Sequence, residues 1–506
     1  MSDERTIDLL VVGGGINGVG IARDAAGRGL DVVLCEQDDL AGHTSSASSK
    51  LIHGGLRYLE HYEFRLVREA LIEREVLLEA APHIIRPLRF ILPHSPQQRP
   101  AWMIRLGLFL YDHLGGRKRL PGSTSVDLTS DPAAKPLKSA VRRAFSYADC
   151  WVDDARLVVL NALDAAERGA EILTRTRCTE ARRVGDHWKA TLASNRGVPI
   201  RRIRARALVN AAGPWAASFI KERLQQSSDS DIRLVKGSHV VVQKFFDHDS
   251  PYILQNPDGR VVFAIPFEQN FTLVGTTDME YQGDPADIRI DEGEIDYLLT
   301  SVNRYFAEPV SRDRIVWTYA GVRPLFDDAE GNASAVTRDY VFDLASPEGG
   351  APLLSVFGGK LTTYRKLAEH ALGKLQPVLG FKEKPWTAGS PLPGGEFDNA
   401  DFEAFLNNVR KRWNWLPPAL ARRYARSYGT RIERLLGTAD GLMGLGEHFG
   451  DDLYEAEVSY LISAEWALTD EDILWRRSKL GLHIGDVTAA RLRAWLGRNA
   501  DIEVPA

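Results

Sequence analysis

Cysteine is scarce in this 506-residue sequence, and the three that occur, Cys35, Cys150 and Cys178, are far apart. Three scattered thiols argue against a disulfide framework and against a thiolate metal site, so we expect inert, buried cysteines, a reducing compartment and no metal. An excess of charge of one sign is also lacking, since the formal net charge is only −5. Because basic and acidic residues are mixed along the chain, we do not expect a nucleic-acid partner.

Long apolar runs are lacking too, and none reaches the length of a membrane span. Residues 1–6 are polar and lead directly into an apolar strand, which is the wrong order for a secretory signal. The nearest approach to a span is 102–111, which contains Arg105 and Gly107 and is followed by the basic residues 117–119. Such a segment suits the headgroup boundary of a membrane surface. A helix packed on the core is the alternative interpretation.

A glycine-rich turn near the amino terminus carries the strongest functional signal. It follows an apolar strand at residues 7–12, opens a helix, and consists of Gly13, Gly14, Gly15, Ile16, Asn17 and Gly18. In this context the glycines permit a tight turn, close approach of a pyrophosphate and close packing of the helix, whose N-terminus attracts phosphates. Glu36 follows a second apolar run at the spacing expected of an acid that binds a ribose hydroxyl. These features predict dinucleotide binding without distinguishing nicotinamide from flavin.

The segment from Thr44 to Tyr58 is rich in hydroxyls and contains two adjacent glycines. Hydroxyls and exposed amides can bind phosphate or the edge of a flavin ring, and glycines let the backbone lie against a planar ring. A later apolar strand, 207–211, ends in small residues that leave room for a ligand at its carboxyl end. From these two segments we assign to the cofactor Thr44, Ser45, Ser48, Ser49, Lys50, His53, Gly54, Gly55, Ala212 and Gly213.

Seven motifs in combination resemble a known family, the FAD-dependent, quinone-linked glycerol-3-phosphate dehydrogenases, within the wider group of flavoproteins that includes D-amino-acid oxidase. The motifs lie at residues 13–18, 44–50, 53–59, 236–239, 275–278, 321–325 and 358–363. The first is shared by many enzymes, whereas the later ones are specific in combination. The resemblance spans nearly the whole chain and shows no major departure from the family pattern.

The expected fold is α/β, with a discontinuous Rossmann-type FAD-binding domain, a mixed or antiparallel β-sheet substrate domain and a C-terminal α-helical domain. Short β-rich pieces between residues 234 and 325, and the return of a buried strand at 353–357, support this organisation. The predicted boundaries are 1–90, 145–230 and 350–380 for the FAD-binding domain, 91–144 and 231–349 for the substrate-binding domain, 381–395 for a linker, and 396–506 for the helical domain.

The resemblance implies oxidation of sn-glycerol 3-phosphate to dihydroxyacetone phosphate by hydride transfer to FAD. It further implies that electrons pass to ubiquinone and that the protein is cytoplasmic, bound peripherally to the inner membrane. An FAD-dependent oxidase or dehydrogenase of an amino acid or a 2-hydroxy acid is one alternative. A flavoprotein whose FAD is structural and takes no part in redox chemistry is another. The oligomeric state is open, with a homodimer among the alternatives.

A small phosphate dianion calls for forked, permanently charged donors, and Arg57 and Arg323 are the candidates because family motifs frame both. Loss of the hydroxyl proton calls for a base of near-neutral pKa, for which His53 is favoured and His239 is the alternative. Tyr58 is expected to position the substrate.

Two glycines, Gly358 and Gly359, follow the predicted strand at 353–357 and precede another predicted helix. Its amides can face the oxygen edge of the flavin. Within it Lys360 is expected to contact flavin or substrate. The cofactor contacts assigned to this segment are Gly358, Gly359, Lys360, Leu361 and Thr362.

Overall fold

The structure is a computed structural model that describes residues 5–95, 98–226, 231–327 and 339–499. Within those ranges, two large β-sheets lie between helices, and further helices form a separate cluster near the carboxyl end. The helices are α1 Ile16–Gly27, α2 Phe64–Ala80, α3 Ala101–Leu114, α4 Asp154–Glu167, α5 Ala216–Arg223, α6 Glu292–Tyr305, α7 Tyr364–Leu379, α8 Phe402–Arg412, α9 Pro418–Tyr428, α10 Ile432–Leu436, α11 Glu455–Glu465 and α12 Asp486–Arg498.

The strands alternate with these helices in the first half of the chain and follow one another closely in its middle. They are β1 Thr6–Val12, β2 Val32–Cys35, β3 Leu51–Ile52, β4 Ile85–His94, β5 Thr124–Asp127, β6 Arg143–Val152, β7 Glu171–Leu173, β8 Thr176–Val184, β9 His187–Ser194, β10 Pro199–Asn210, β11 Asp231–Gln243, β12 Tyr252–Gln255, β13 Val261–Phe267, β14 Phe271–Gly275, β15 Met279–Tyr281, β16 Ile315–Asp327, β17 Val341–Ala345, β18 Leu353–Phe357, β19 His448–Gly450 and β20 Leu453–Tyr454.

An eight-stranded sheet has the order β17-β18-β10-β1-β2-β7, with β9 pairing β10 and β8 pairing β9. Its centre is parallel, since β1 pairs in parallel with both β2 and β10, and β10 pairs in parallel with β18. Parallel strands covered on both faces are expected to be apolar throughout, and β2 and β18 are buried along their whole length. The sheet therefore presents the carboxyl ends of β1, β2 and β10 at one edge, where ligands bind in such folds.

A ten-stranded sheet has the order β15-β11-β14-β13-β12-β4-β6-β3, with β16 on β11 and β5 on β6. Its pairings are antiparallel except that of β4 with β12. Three strands differ in sheet membership from the division drawn on the sequence. β3 and β6 join this sheet, although 1–90 and the residues from 145 onward are predicted to belong to the cofactor domain. β17 joins the parallel sheet, although 231–349 are predicted to belong to the substrate domain.

The carboxyl-terminal part, from α8 to α12, has an apolar core of its own, built around residues such as Leu420, Tyr424 and Leu461. Buried ion pairs fasten it to the parallel-sheet part. The Arg156 guanidinium binds both oxygens of Glu465, and Arg477 binds both oxygens of Asp39 at 2.7 and 2.8 Å. The expected α/β fold with an added helical domain is confirmed.

Candidate functional site

The glycine-rich turn lies where β1 ends and α1 begins. Gly13 has φ +114°, and a Cβ there would lie 2.4 Å from the Ala211 carbonyl oxygen. A Cβ on Gly18 would lie 1.9 Å from the Gly13 carbonyl oxygen, so only glycine lets α1 approach β1 this closely. The turn thus has the bare backbone and the helix N-terminus that a pyrophosphate requires.

Glu36 follows β2 directly, and its carboxylate lies beside the turn. It accepts hydrogen bonds from the Gly14 N–H at 2.6 Å and from the Asp38 N–H at 2.8 Å. Burial raises the pKa of Glu36, and these two donors oppose that rise. The acid is therefore held in place at the end of β2, where the ribose of a dinucleotide is expected.

The hydroxyl-rich loop after Glu36 connects the two sheets. The Thr44 hydroxyl donates to the Val322 carbonyl at 2.8 Å, and the Ser45 hydroxyl accepts from the Ile16 N–H at 3.0 Å. The Ser49 hydroxyl lies 2.9 Å from Nε2 of His239. The loop is thereby fixed between the turn and β16.

One cavity of about 890 Å³ brings together most of the predicted site residues. It extends from the glycine-rich turn to the inner face of the ten-stranded sheet. The predicted residues that line it are Gly13, Gly15, Asn17, Glu36, Thr44, Ser45, Ser48, Ser49, His53, Gly55, Arg57, Tyr58, Ala212, Gly213, His239, Arg323, Gly358, Gly359, Lys360, Leu361 and Thr362.

Four predicted cofactor residues are not among those lining the cavity, and they support it from behind. The backbone of Gly14 binds Glu36, and Gly18 gives α1 its close packing. Lys50 is fully buried and its ammonium lies 2.8 and 3.0 Å from the two carboxylate oxygens of Asp154. The Gly54 N–H donates to the Tyr111 hydroxyl at 2.8 Å.

Cationic side chains line the cavity, among them Lys360, Arg323 and Arg57. The Lys360 ammonium lies 3.9 Å from the centre of the Tyr58 ring. Nη2 of Arg323 donates to the Thr277 carbonyl at 3.2 Å, and Nη1 lies 3.5 Å from Asp278. Arg57 lines the same cavity and has no ion-pair partner within the described ranges of the chain. With these cations in its lining, the cavity can take up a small anion.

Both candidate bases are histidines whose pKa is lowered, mainly by burial. The cations Lys360 and Arg74 lower the pKa of His53 further, while Asp149 opposes them. His239 stacks on Tyr319 with the ring centres 4.7 Å apart. Each imidazole is therefore neutral near pH 7 and able to accept a proton.

Two buried aspartates behind the loop, Asp154 and Asp149, are not among the site residues predicted from the sequence. Asp154 binds the Ser48 hydroxyl at 2.7 Å as well as Lys50, and Asp149 accepts from Tyr111 and, at 2.6 Å, from Arg74. A signal for Asp154 was present, because two aspartates precede an apolar helical run, as is typical of a helix N-terminus. Nothing in the sequence marks Asp149.

Comparisons with known proteins agree with this geometry. A family model described as FAD dependent oxidoreductase matches residues 8–365, and one described as C-terminal domain of alpha-glycerophosphate oxidase matches residues 386–496.

Three individual proteins are informative. A glycerol-3-phosphate dehydrogenase of Pseudomonas aeruginosa is 59% identical, covering 97% of this chain and 94% of its own length. A D-erythritol 1-phosphate dehydrogenase of Brucella abortus is 56% identical, covering 98% of each. The solved structure of the glycerol-3-phosphate dehydrogenase from Bacillus halodurans, complexed with FAD, is 26% identical and has a TM-score of 0.80, covering 99% of this chain and 92% of its own.

Proposed function

This chain belongs to the family of FAD-dependent oxidoreductases, and from that premise we propose that it oxidises sn-glycerol 3-phosphate to dihydroxyacetone phosphate. FAD is its cofactor, and the residues fit it: the turn at residues 13–18 has the bare backbone that would bind the pyrophosphate, and Glu36, beside that turn, would bind the ribose. When bound, FAD supplies the acceptor for the two electrons that the oxidation of an alcohol releases.

The observation that carries the proposal is that one cavity is lined both by the dinucleotide turn and by the cations Arg57, Arg323 and Lys360. Arg57 and Arg323 offer forked donors that can bind a phosphate dianion at two points each, and Lys360 adds a third positive charge. Each charge-assisted hydrogen bond contributes roughly 1.5–3 kcal/mol. In the proposed complex the phosphate is anchored there, and the carbinol faces the cofactor.

The proton of the carbinol hydroxyl goes to His53 in this proposal. Burial lowers the pKa of His53, so its imidazole is neutral and can take up a proton at physiological pH, as a weaker base than an exposed histidine. His239 is the alternative acceptor, but its Nε2 is already engaged with the Ser49 hydroxyl. Tyr58, beside Lys360, positions the substrate.

Electrons are proposed to pass to ubiquinone at the inner membrane, with the protein bound peripherally on the cytoplasmic side. Helix α3 supports a membrane contact, because Trp102, Leu106 and Phe109 are all more than half exposed on it. Among the described residues, the structure has no helix with the length and apolarity needed to cross a bilayer.

D-erythritol 1-phosphate is the second candidate substrate, because a relative named for its oxidation is 56% identical over 98% of this chain. It carries the same kind of phosphate monoester on a longer polyol. The anion site described above suits either compound, so kinetics must decide between them.

The experiment is anaerobic mixing of the FAD-loaded protein with each substrate, followed by visible absorbance. We expect glycerol 3-phosphate to bleach the oxidised flavin faster than D-erythritol 1-phosphate does, and we expect amino acids and 2-hydroxy acids to leave it unchanged. Adding a short-chain ubiquinone to the reduced protein should restore the absorbance faster than air does. If no phosphorylated polyol bleaches the flavin, the proposal is wrong. That result would favour the alternative in which the FAD is structural and takes no part in redox chemistry.

A further inference from the structure

The guanidinium of Arg323 lies in a socket formed by Gly237 and the turn at residues 275–278. Its Nη2 donates to the Thr277 carbonyl at 3.2 Å, and its Nη1 lies 3.5 Å from Asp278. A Cβ on Gly237 would lie 2.8 Å from Nη2, so the missing side chain makes room for the guanidinium. The direction of the Arg323 fork therefore depends on where the backbone of Thr277 is held.

Thr277 is held by a buried carboxylate, Glu294, which is only 4% exposed. The Thr277 hydroxyl donates to Oε1 of Glu294 at 2.7 Å and accepts from the Ser238 N–H at 2.8 Å. The Ser238 hydroxyl donates to the same Oε1 at 2.9 Å, and the Lys236 ammonium lies 2.6 Å from Oε2. Because an unpaired buried carboxylate is costly, these contacts define one geometry.

Glu294 also has a local role at the start of α6. It forms a reciprocal cap with Asp291, in which the Asp291 side chain accepts from the Glu294 N–H and Oε2 of Glu294 accepts from the Asp291 N–H at 3.1 Å. The cap uses only Oε2, whereas the contacts toward the cavity wall use Oε1. The two oxygens thus separate a stabilising role from a role at the site.

We infer that Glu294 is a positioning residue that sets the direction of the Arg323 fork through Thr277, and so tunes the affinity for the substrate phosphate. The inference rests on the proposed function, in which Arg323 binds that phosphate. Glu294 does not line the cavity, so its effect passes through the Thr277 hydroxyl and backbone.

The test compares Glu294→Ala, Glu294→Gln and Thr277→Val with Asp291→Ala. The last is the matched control, because it removes the other half of the helix cap and leaves the Thr277 contact in place. The measurements are KM for glycerol 3-phosphate, kcat, bound flavin, and Ki of inorganic phosphate as a competitive inhibitor. We expect Glu294→Ala and Thr277→Val to raise both KM and Ki roughly five- to tenfold, the scale of one weakened charge-assisted hydrogen bond.

Glu294→Gln keeps an acceptor oxygen for the two hydroxyls, so its KM and Ki should stay close to those of the unaltered protein while its thermal stability falls. Asp291→Ala should likewise lose stability only. The inference is overturned if Glu294→Ala shifts KM and Ki no more than Asp291→Ala does. Where Glu294→Ala does not fold, unchanged constants in Thr277→Val overturn it instead. Failure of the proposed function gives a different result: in the unaltered protein, no phosphorylated polyol would reduce the flavin.

Discussion

Arg57 allows a direct test of the phosphate site, because it lines the cavity and forms no ion pair with a carboxylate among the residues that the structure describes. Arg57→Lys keeps the charge but replaces a planar fork by a single ammonium. We expect KM for glycerol 3-phosphate to rise at least about tenfold, with bound flavin unchanged, since one charge-assisted hydrogen bond contributes roughly 1.5–3 kcal/mol. Steady-state kinetics and the visible spectrum measure both quantities.

The control for this change is Arg99→Lys, at an arginine that pairs with Glu60 and does not line the cavity. It should leave KM unaltered. A wild-type KM in Arg57→Lys would remove this arginine from the proposed site.

Residue roles that depend on local backbone geometry were predictable from the sequence, and those that depend on a distant partner were not. The spacing of Gly13, Gly18 and Glu36 alone specifies a turn, a close helix and an acid, and the structure places all three accordingly. Lys50 was expected at the cofactor. Its ammonium instead pairs with Asp154, 104 residues further on, and no local pattern indicates such a partner.

Helix α3 carries the membrane proposal at the scale of an element. Trp102 and Phe109 are 66% and 52% exposed on it. Burying an aromatic side chain contributes on the order of 1.5–3 kcal/mol, so changing both residues to Ser should weaken binding to vesicles by at least about tenfold. Cosedimentation with vesicles of phosphatidylcholine and phosphatidylglycerol measures this.

Met443→Ser is the matched control, since Met443 is 94% exposed and lies in another part of the chain. It should bind vesicles as the unaltered protein does. Equal binding by the α3 double variant would show that this helix does not contact lipid.

Elements were predictable where periodicity and turn residues mark them, as for β1, β2 and the return strand β18. Sheet membership was harder, because a strand such as β6 has similar apolar residues whichever sheet it joins. Its neighbours decide the matter: β4 pairs with it over ten residue positions, from Ile85↔Val152 to His94↔Arg143. The domain boundaries between 145 and 349 remain a prediction for this reason.

At the scale of the whole molecule, buried charges hold the helical domain against the cofactor domain. The Arg156–Glu465 and Arg477–Asp39 pairs join segments more than 300 residues apart. Removing one partner of a buried ion pair is strongly destabilising, because the other charge is then buried without an opposite charge beside it. A separate helical domain was expected from the sequence, but such pairs are visible only in the folded chain.

His83 lies at this junction and makes the stability depend on pH. Burial, together with Arg156 and Arg426, lowers the pKa of its imidazole to about 3, against 6.5 for an unperturbed histidine. The folded chain thus holds His83 neutral, whereas the unfolded chain binds a proton below pH 6.5. Above pH 6.5 His83 is neutral in both states and does not change the free energy of unfolding. As the pH decreases from 6.5 toward 3, proton binding by the unfolded chain lowers that free energy by up to about 1.4 kcal/mol per pH unit. His83→Gln should therefore lose less thermal stability between pH 7.5 and 5.5 than the unaltered protein.

The test measures the melting temperature of the FAD-loaded protein across that pH range. The quantity compared is the change of melting temperature with pH, not its absolute value. His61→Gln is the control for the same replacement at an exposed histidine. Parallel slopes for His83→Gln and the unaltered protein would show that protonation of His83 does not limit the stability of the domain junction. A shallower slope for His83→Gln alone would place the acid-sensitive step where the helical domain meets the cofactor domain.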